Sequence, residues 1–533
     1  MTELTRRDLI GAALAAPAIL TGCTRPDDWR TRVEGRWIGD NAALGHRVRD
    51  VRALPPANAR ERRCDVLVVG SGIAGLSAAR TLQRAGITDF AVLELEDQPG
   101  GNSRGHAMQG LRCPLGAHYL PLPGPRAPDI QDWLVEIGLA KQTAAGLKWD
   151  ERQLCHSPQE RLFIDGHWQD GMLPNVPRDS ATQAQYQRFA KAIAEAGRIG
   201  FALPTSRAPW TPAHAALDAV TAAQWLRDQG LADPLLLTYL DYCCRDDYGA
   251  GSATVSAWAL VHYFASRHGF SAPGDDSNDR DPVLTWPDGN APLANALRRP
   301  FADRVQTGRA VFRIDEGLNE VTAWAFAGDD VERWTAKQVI VAAPVFIAAH
   351  VLRAPPAALV AAAKQQRRAP WMVANLRLSG LPLDRLGAPL SWDNVIHGSP
   401  SLGYVDAQHQ SLARVVGPRL LSAYWAFPDT DRKRLLEMTW QDATQLILDD
   451  LREVHPDLSE RLQQVDIVRH GHAMAIPTPG QRSSAALAAI PDSAARVSFA
   501  HADLSAYSVF EEAFTRGDAA GRRVARALGR AFS

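Results

Sequence analysis

Gly70-Ser71-Gly72-Ile73-Ala74-Gly75 carries the spacing G-x-G-x-x-G, and the chemistry that this spacing serves is the grip on a pyrophosphate. Gly70 suits the tight turn, Gly72 leaves room for the backbone to approach phosphate, and Gly75 allows a helix to pack closely on a strand. Glu94 follows where a carboxylate can accept both hydroxyls of a ribose, which disfavours a ribose that is itself phosphorylated. Gly100-Gly101 stands six and seven residues later. Farther along, Asp246-Asp247 beside Arg245 has the charge to anchor a cationic substrate, although a surface ion pair at a helix end is the ordinary explanation of such a group.

These groups need a frame. Asp65-Val66-Leu67-Val68-Val69 is a short apolar run of the kind buried on both faces of a parallel sheet. Residues 76–85 read as an Ala-rich amphipathic helix and 90–95 as a second apolar strand. Strand, turn, helix, strand and terminal acid form one unit, with the helix N-terminus facing the phosphates. Residues 121–282 lose strand character, and helical spacing recurs over 130–138, 181–200, 221–230 and 234–244. Short alternating strands are expected between 305 and 342, and a second sheet from 371–378, 420–427 and 465–474 with a helix over 439–453.

From Cys64 to Gly105 the chain resembles the FAD-binding start of the flavin-containing amine oxidase and phytoene-desaturase-like superfamily, in which an acid is followed by a Gly-Gly pair around the FAD pyrophosphate. The resemblance implies FAD contacts from Gly70, Ser71, Gly72, Ile73, Ala74, Gly75, Glu94, Gly100 and Gly101. Asn102 stands where that family usually has Arg, with Arg104 two places on as an alternative source of charge. It also implies that Val311 holds the adenine through its backbone and that Asp503 meets the ribityl and phosphate region. Glu511 would open a final helix aimed at the flavin. His118 and Tyr119 would lie near the reacting face, where His118 is either catalytic or a hydrogen-bonded structural group. Asn375 is the nearest match to a Lys that amine oxidases of this group carry near flavin N5, and Pro114 replaces a usual acid.

The 533 residues carry a formal net charge of −1, which gives no reason to expect nucleic acid as a partner. Arg6-Arg7 precedes an apolar stretch over 9–22 that is shorter than the roughly 20 residues a bilayer span needs. The pattern is that of a twin-arginine signal, a bacterial route for folded cargo. Leu20-Thr21-Gly22-Cys23 resembles a lipoprotein box, so that Cys23 would be lipidated and the protein held on the periplasmic face of a membrane. Conventional cleavage and a free protein is the alternative. None of the six cysteines forms a C-x-x-C pair, so no metal is expected, and Cys243-Cys244 is either two buried thiols or a strained disulfide.

The reading is an α/β fold. A Rossmann-type FAD-binding domain (64–125, 283–350 and 470–533) carries an inserted helical region and a mixed-sheet substrate domain (126–282 and 351–469). Before it come a signal (1–23) and a polar tether (24–63). The activity implied is dehydrogenation of a small organic substrate, an amine first, by hydride transfer to flavin N5. Oxygen or an envelope electron acceptor would reoxidise the flavin. The alternatives are a desaturase or isomerase of a lipid-like substrate, and a flavoprotein without turnover that serves a membrane complex.

Overall fold

A computed structural model describes residues 29–51, 58–267, 269–273, 282–411, 416–492 and 494–530. Val66, Leu67 and Val68 are wholly buried, as an apolar run with no polar alternation demands, and they lie in the central strand Arg60–Val69. That strand pairs in parallel with Phe90–Leu93 on one side and with Asp330–Val341 on the other. Val305–Gln306 and Val497–Phe499 extend the parallel part, and the strands Arg309–Glu316 and Val321–Ala327 add an antiparallel meander.

The helices Ile73–Arg84 and Phe510–Ala527 pack against this sheet and cross each other closely. Small residues make the crossing possible. A Cβ on Gly517 would stand 2.1 Å from the Ala74 carbonyl oxygen, and one on Gly521 would stand 2.8 Å from that of Ala78. The C-terminal helix therefore locks the helix that follows the glycine turn.

Among the described residues the second sheet has eight strands. Its centre is Arg368–Leu378, antiparallel to both Arg419–Ala426 and Leu462–Ala475. Two expectations change here. The insertion is not purely helical, because Glu160–Ile164 and His167–Asp170 form a hairpin at the edge of this sheet, and Ala140–Thr143 pairs with Gly146–Trp149. Nor is 24–63 only a tether. Glu34–Trp37 adds a strand beside Leu462–Ala475, Ala42–Asp50 is a helix, and the central strand of the first sheet already starts at Arg60. The strand Leu462–Ala475 also runs unbroken across residue 470, where the two domains were expected to meet.

Five helices, Ala181–Gly197, Pro212–Asp218, Ala222–Asp228, Pro234–Tyr248 and Ala257–Ala265, build a separate apolar core over the cavity between the sheets. Cys243 and Cys244 sit in it as free, buried thiols. Among the described residues no helix is long and apolar enough to cross a membrane, and no cluster of His, Cys, Asp and Glu has the geometry to hold a metal ion. The signal residues and Cys23 lie outside the described residues.

Candidate functional site

One cavity of about 510 Å³ runs from the glycine turn to the helical insertion. At its first end the chain turns at Gly70, whose φ of +99° favours glycine. Gly72 and Gly101 face each other there, and a Cβ on Gly72 would meet nothing nearer than the Gly101 Cα at 3.9 Å. Gly70, Gly72, Ile73, Ala74, Gly100, Gly101 and Asn102 all line this end. Ser71 and Gly75 do not. Ser71 donates from its N–H and its hydroxyl to Glu94 Oε2, at 2.8 and 2.6 Å, which fixes the carboxylate at the cavity wall. Gly75 packs the helix onto the turn, where an added Cβ would stand 1.9 Å from the Gly70 carbonyl oxygen.

Val311 lines the cavity at an irregularity in its strand pairing. Glu511 lies at the first turn of the C-terminal helix, with Ser508, Val509 and Phe510 beside it at the cavity wall. Burial, with Glu512 and Asp247 nearby, raises the Glu511 carboxyl to about 7.

Three expected site residues turn elsewhere. Arg104 is buried behind the glycine loop, where its Nε donates to the Gly101 carbonyl at 3.0 Å and its guanidinium reaches Glu96 and the Gly39 carbonyl. It braces the loop and does not line the cavity. Asp503 is fully buried against Arg368 and accepts from the Val345 N–H at 2.8 Å. Burial opposes its ionisation, yet Arg368 and His501 hold it well below the ordinary carboxylate range. Its neighbour Ala502 faces the cavity instead. Asn375 is likewise fully buried, donating to the Pro114 carbonyl at 2.9 Å and accepting from Ser422 Oγ at 2.6 Å. Trp371 and Val373, nearer the start of the same strand, are the residues that reach the cavity.

The far end is an aromatic chamber with carboxylates in its roof. The His118 ring lies 4.5 Å from Tyr424, 5.0 Å from Tyr119 and 5.5 Å from Trp392. Burial lowers His118 to about 3, so the ring is neutral at any ordinary pH. Asp246 and Asp247 come from the last turn of Pro234–Tyr248, which starts at Pro234 behind an Asp233 cap and ends at the left-handed Gly249. Gly249 also admits Trp371. A Cβ at that position would stand 2.8 Å from the indole nitrogen, so the helix end and the strand meet only through glycine.

The two acids have different partners. Asp247 accepts from Tyr507 Oη at 2.6 Å and from Arg267 at 3.2 Å. Asp246 is hydrogen-bonded by Tyr119, and burial followed by the Asp247 charge raises its carboxyl to about 7. A helix C-terminus adds to the same effect, since its dipole end is negative. Arg245 points away, to Asp241 and to the carbonyls of Ser399, Pro400 and Ser401.

Sequence reasoning missed Trp371, Trp392, Tyr424, Arg267, Asn290, His470 and His472, of which all but Trp392 line the cavity. The alternation of positions 371 and 373 and of 470 and 472 was a signal, usable only with the strand register known. His470 is lowered to about 4 by burial, and its Nε2 lies 2.8 Å from the Leu115 carbonyl, to which it donates.

The donor set fits FAD: a glycine cradle open to the cavity, a carboxylate at the end of the second strand, and a continuous path from there to an aromatic chamber. Comparison with known proteins agrees. An L-amino acid dehydrogenase of Synechocystis sp. is 24% identical over 301 residues, which is 55% of this chain and 58% of that protein. A putrescine oxidase of Kocuria rosea is 30% identical over 185 residues, 33% of this chain and 34% of its own. The chain thus spans little more than half the length of the curated relatives it matches, at most. A solved putrescine oxidase with putrescine bound superposes with a TM-score of 0.66 at 18% identity, over 88% of this chain and 100% of that one. Cyclohexylamine oxidase from Brevibacterium oxydans superposes with 0.64, also at 18% identity, over 88% and 100%. These two show the fold. The sequence profile of the flavin containing amine oxidoreductases matches residues 73–527, most of the chain, and the protein belongs to that family.

Proposed function

We propose that this FAD-dependent oxidoreductase dehydrogenates a small organic amine. The observation that carries the proposal is the pairing of Asp246 with aromatic walls in the same cavity as the glycine cradle. FAD, when bound, supplies the oxidant that takes a hydride from the carbon beside nitrogen. The chain's own residues prepare the amine for that step. Asp246, ionised in part near neutral pH, attracts the ammonium group and is placed to take its proton. The Tyr119 hydroxyl, donating to Asp246, fixes the direction of that carboxylate. His118 brings no competing charge, and the rings of Tyr119, Trp371 and Tyr424 exclude water and offer faces to a cation.

Arg267 also lines the cavity, which keeps in view an amino acid with a carboxylate to bind. Its charge is already paired with Asp247 and its donors reach Tyr507 and the Tyr263 carbonyl, so an amine without a carboxylate fits better. A lipid-like polyene would bury no charge to match Asp246, which disfavours the desaturase reading. The test is anaerobic bleaching of the bound flavin by a panel of primary amines, amino acids and polyenes. Bleaching by amines is the expected result, and bleaching by the polyenes alone would replace this reading with the desaturase.

Export belongs to the same proposal. Arg6-Arg7 and Cys23 support twin-arginine transport and a lipid anchor on the periplasmic face, with an envelope electron acceptor or membrane complex within reach.

A further inference from the structure

Among the described residues six glycines line the cavity, and the surroundings of an added Cβ tell them apart. On Gly70, Gly100, Gly101 and Gly116 it would meet protein atoms at 2.5, 3.3, 3.1 and 2.5 Å, so close packing accounts for these four. On the other two it would enter open space, with nothing nearer than 3.9 Å at Gly72 and nothing within 4 Å at Gly45. Gly72 is explained by the phosphate that its backbone approaches. Nothing in the protein itself explains Gly45.

Gly45 lies inside the helix Ala42–Asp50, where glycine is among the poorest residues to place. A glycine is commonly required by a left-handed backbone or by a neighbour too close for a side chain. Neither applies here, because Gly45 is helical and no protein atom crowds it. The space before it is the cavity, which Val48, three residues on along the same face, also lines.

This is the end of the cavity suited to adenosine. The helix packs on the strand Arg309–Glu316, from which Arg309 and Val311 line the cavity, and it begins beside the ribose-binding acid. Glu96 joins the two. Its N–H donates to Glu94 Oε1 at 3.0 Å, and its own carboxylate accepts from the Asn41 N–H at 3.1 Å. Asn41 then caps the helix, its side chain accepting from the Leu44 N–H at 3.1 Å. Farther along, Arg47 donates to the Gly328 carbonyl at 2.8 Å and lies over the Phe326 ring, and His350 Nε2 donates to the Val48 carbonyl at 3.2 Å. The helix is thereby fixed along its length to the FAD-binding domain.

We infer, on FAD as the cofactor and whatever the substrate, that Ala42–Asp50 is a wall of the cofactor site. Gly45 leaves the room in which the helix backbone meets the adenosine of FAD, as Gly72 does for the pyrophosphate. A side chain at position 45 would take the place of the nucleoside. A better helix former there should steady the cofactor-free protein and weaken its hold on FAD. A glycine with no ligand before it would show only the first effect.

The experiment removes flavin from the full-length protein and titrates FAD back, following flavin fluorescence, in the wild type, Gly45→Leu and Ala43→Leu. Ala43 is exposed on the same helix and does not line the cavity, so its variant is the control. Gly45→Leu should raise the FAD dissociation constant by about tenfold or more, the cost of overpacking a filled site, while its apoprotein melts no lower than the wild type. Ala43→Leu should bind FAD as the wild type does. Equal affinity in the wild type and Gly45→Leu, or an equal loss in Ala43→Leu, would overturn the inference. A wild type that takes up no FAD would remove the cofactor assignment and the inference with it. If Gly45→Leu does not fold, Gly45→Ala decides alone: weaker FAD binding sustains the wall, and unchanged binding ends it.

Discussion

Replacing Asp246 by Asn should separate the stability of the site from its chemistry. In the folded protein burial and the Asp247 charge raise this carboxyl from 3.8 to about 7. The folded state then holds more protons than the unfolded chain between those two values, so stability falls as pH rises through that window. About three units at 1.36 kcal/mol each set a ceiling of about 4 kcal/mol for the penalty above pH 7. The Asp246 side chain is only half-buried and lies beside the Asp247 charge, so a gain of about 2 kcal/mol is the expected share in the substrate-free Asn variant. Below pH 4 both forms are neutral and the two proteins should melt together. Catalysis should move the opposite way. An ammonium group deprived of its buried partner loses about 3–5 kcal/mol, which is a fall in kcat/KM of roughly 10²–10⁴. The wild-type kcat/KM should rise between pH 6 and 8 as Asp246 ionises, and that limb should vanish in the variant. The assays are thermal melts of flavin-loaded protein at pH 4 and pH 8, and kcat/KM across pH with an amine that bleaches the flavin. A variant with the wild-type pH profile would remove Asp246 from the reaction, and one no more stable at pH 8 would remove the buried-charge argument.

Gly72→Val should leave a folded protein without flavin, because its side chain would enter open cavity where phosphate belongs; a yellow variant with normal occupancy would refute the cradle. Asn375→Leu should cost about 1–3 kcal/mol of stability through the lost bonds to Pro114 and Ser422, with flavin content unchanged. Flavin loss in that variant at unchanged melting temperature would return Asn375 to the site. Arg6→Lys with Arg7→Lys should leave holoprotein in the cytoplasm, as fractionation with flavin absorbance would show, and normal export would dismiss the twin-arginine reading. Cys243 and Cys244, buried thiols held above their usual pKa by burial, should resist alkylation until the protein unfolds, and rapid labelling of the native protein would contradict the packing around them.

The parts of this protein that were legible in sequence are those in which the backbone does the binding. A pyrophosphate cradle needs glycines at fixed spacing after a buried strand, and both requirements are local, so 65–75 announces itself. The aromatic chamber is a different problem. His118, Trp371, Trp392 and Tyr424 meet only after four distant segments have been placed, and a slip of one residue in a strand exchanges cavity for core. Asn375 shows the same limit from the other side. It lies on the strand that reaches the cavity, yet two turns of the pleat farther on it meets Pro114 and Ser422 instead of open space. The strand Glu34–Trp37 had no periodic signal at all. Its Gly35 is dictated by a neighbour 430 residues away, since a Cβ there would stand 2.0 Å from the Val465 carbonyl oxygen and 2.4 Å from the Trp440 ring. Asp246 falls between these cases. Its charge marked it in the sequence, but a carboxylate on a helix is ordinary until the opposing wall is known, and that wall, Tyr119 and the rings beyond it, comes from another part of the chain. The wall makes the acid reluctant to ionise, and that reluctance is what gives it a use near neutral pH.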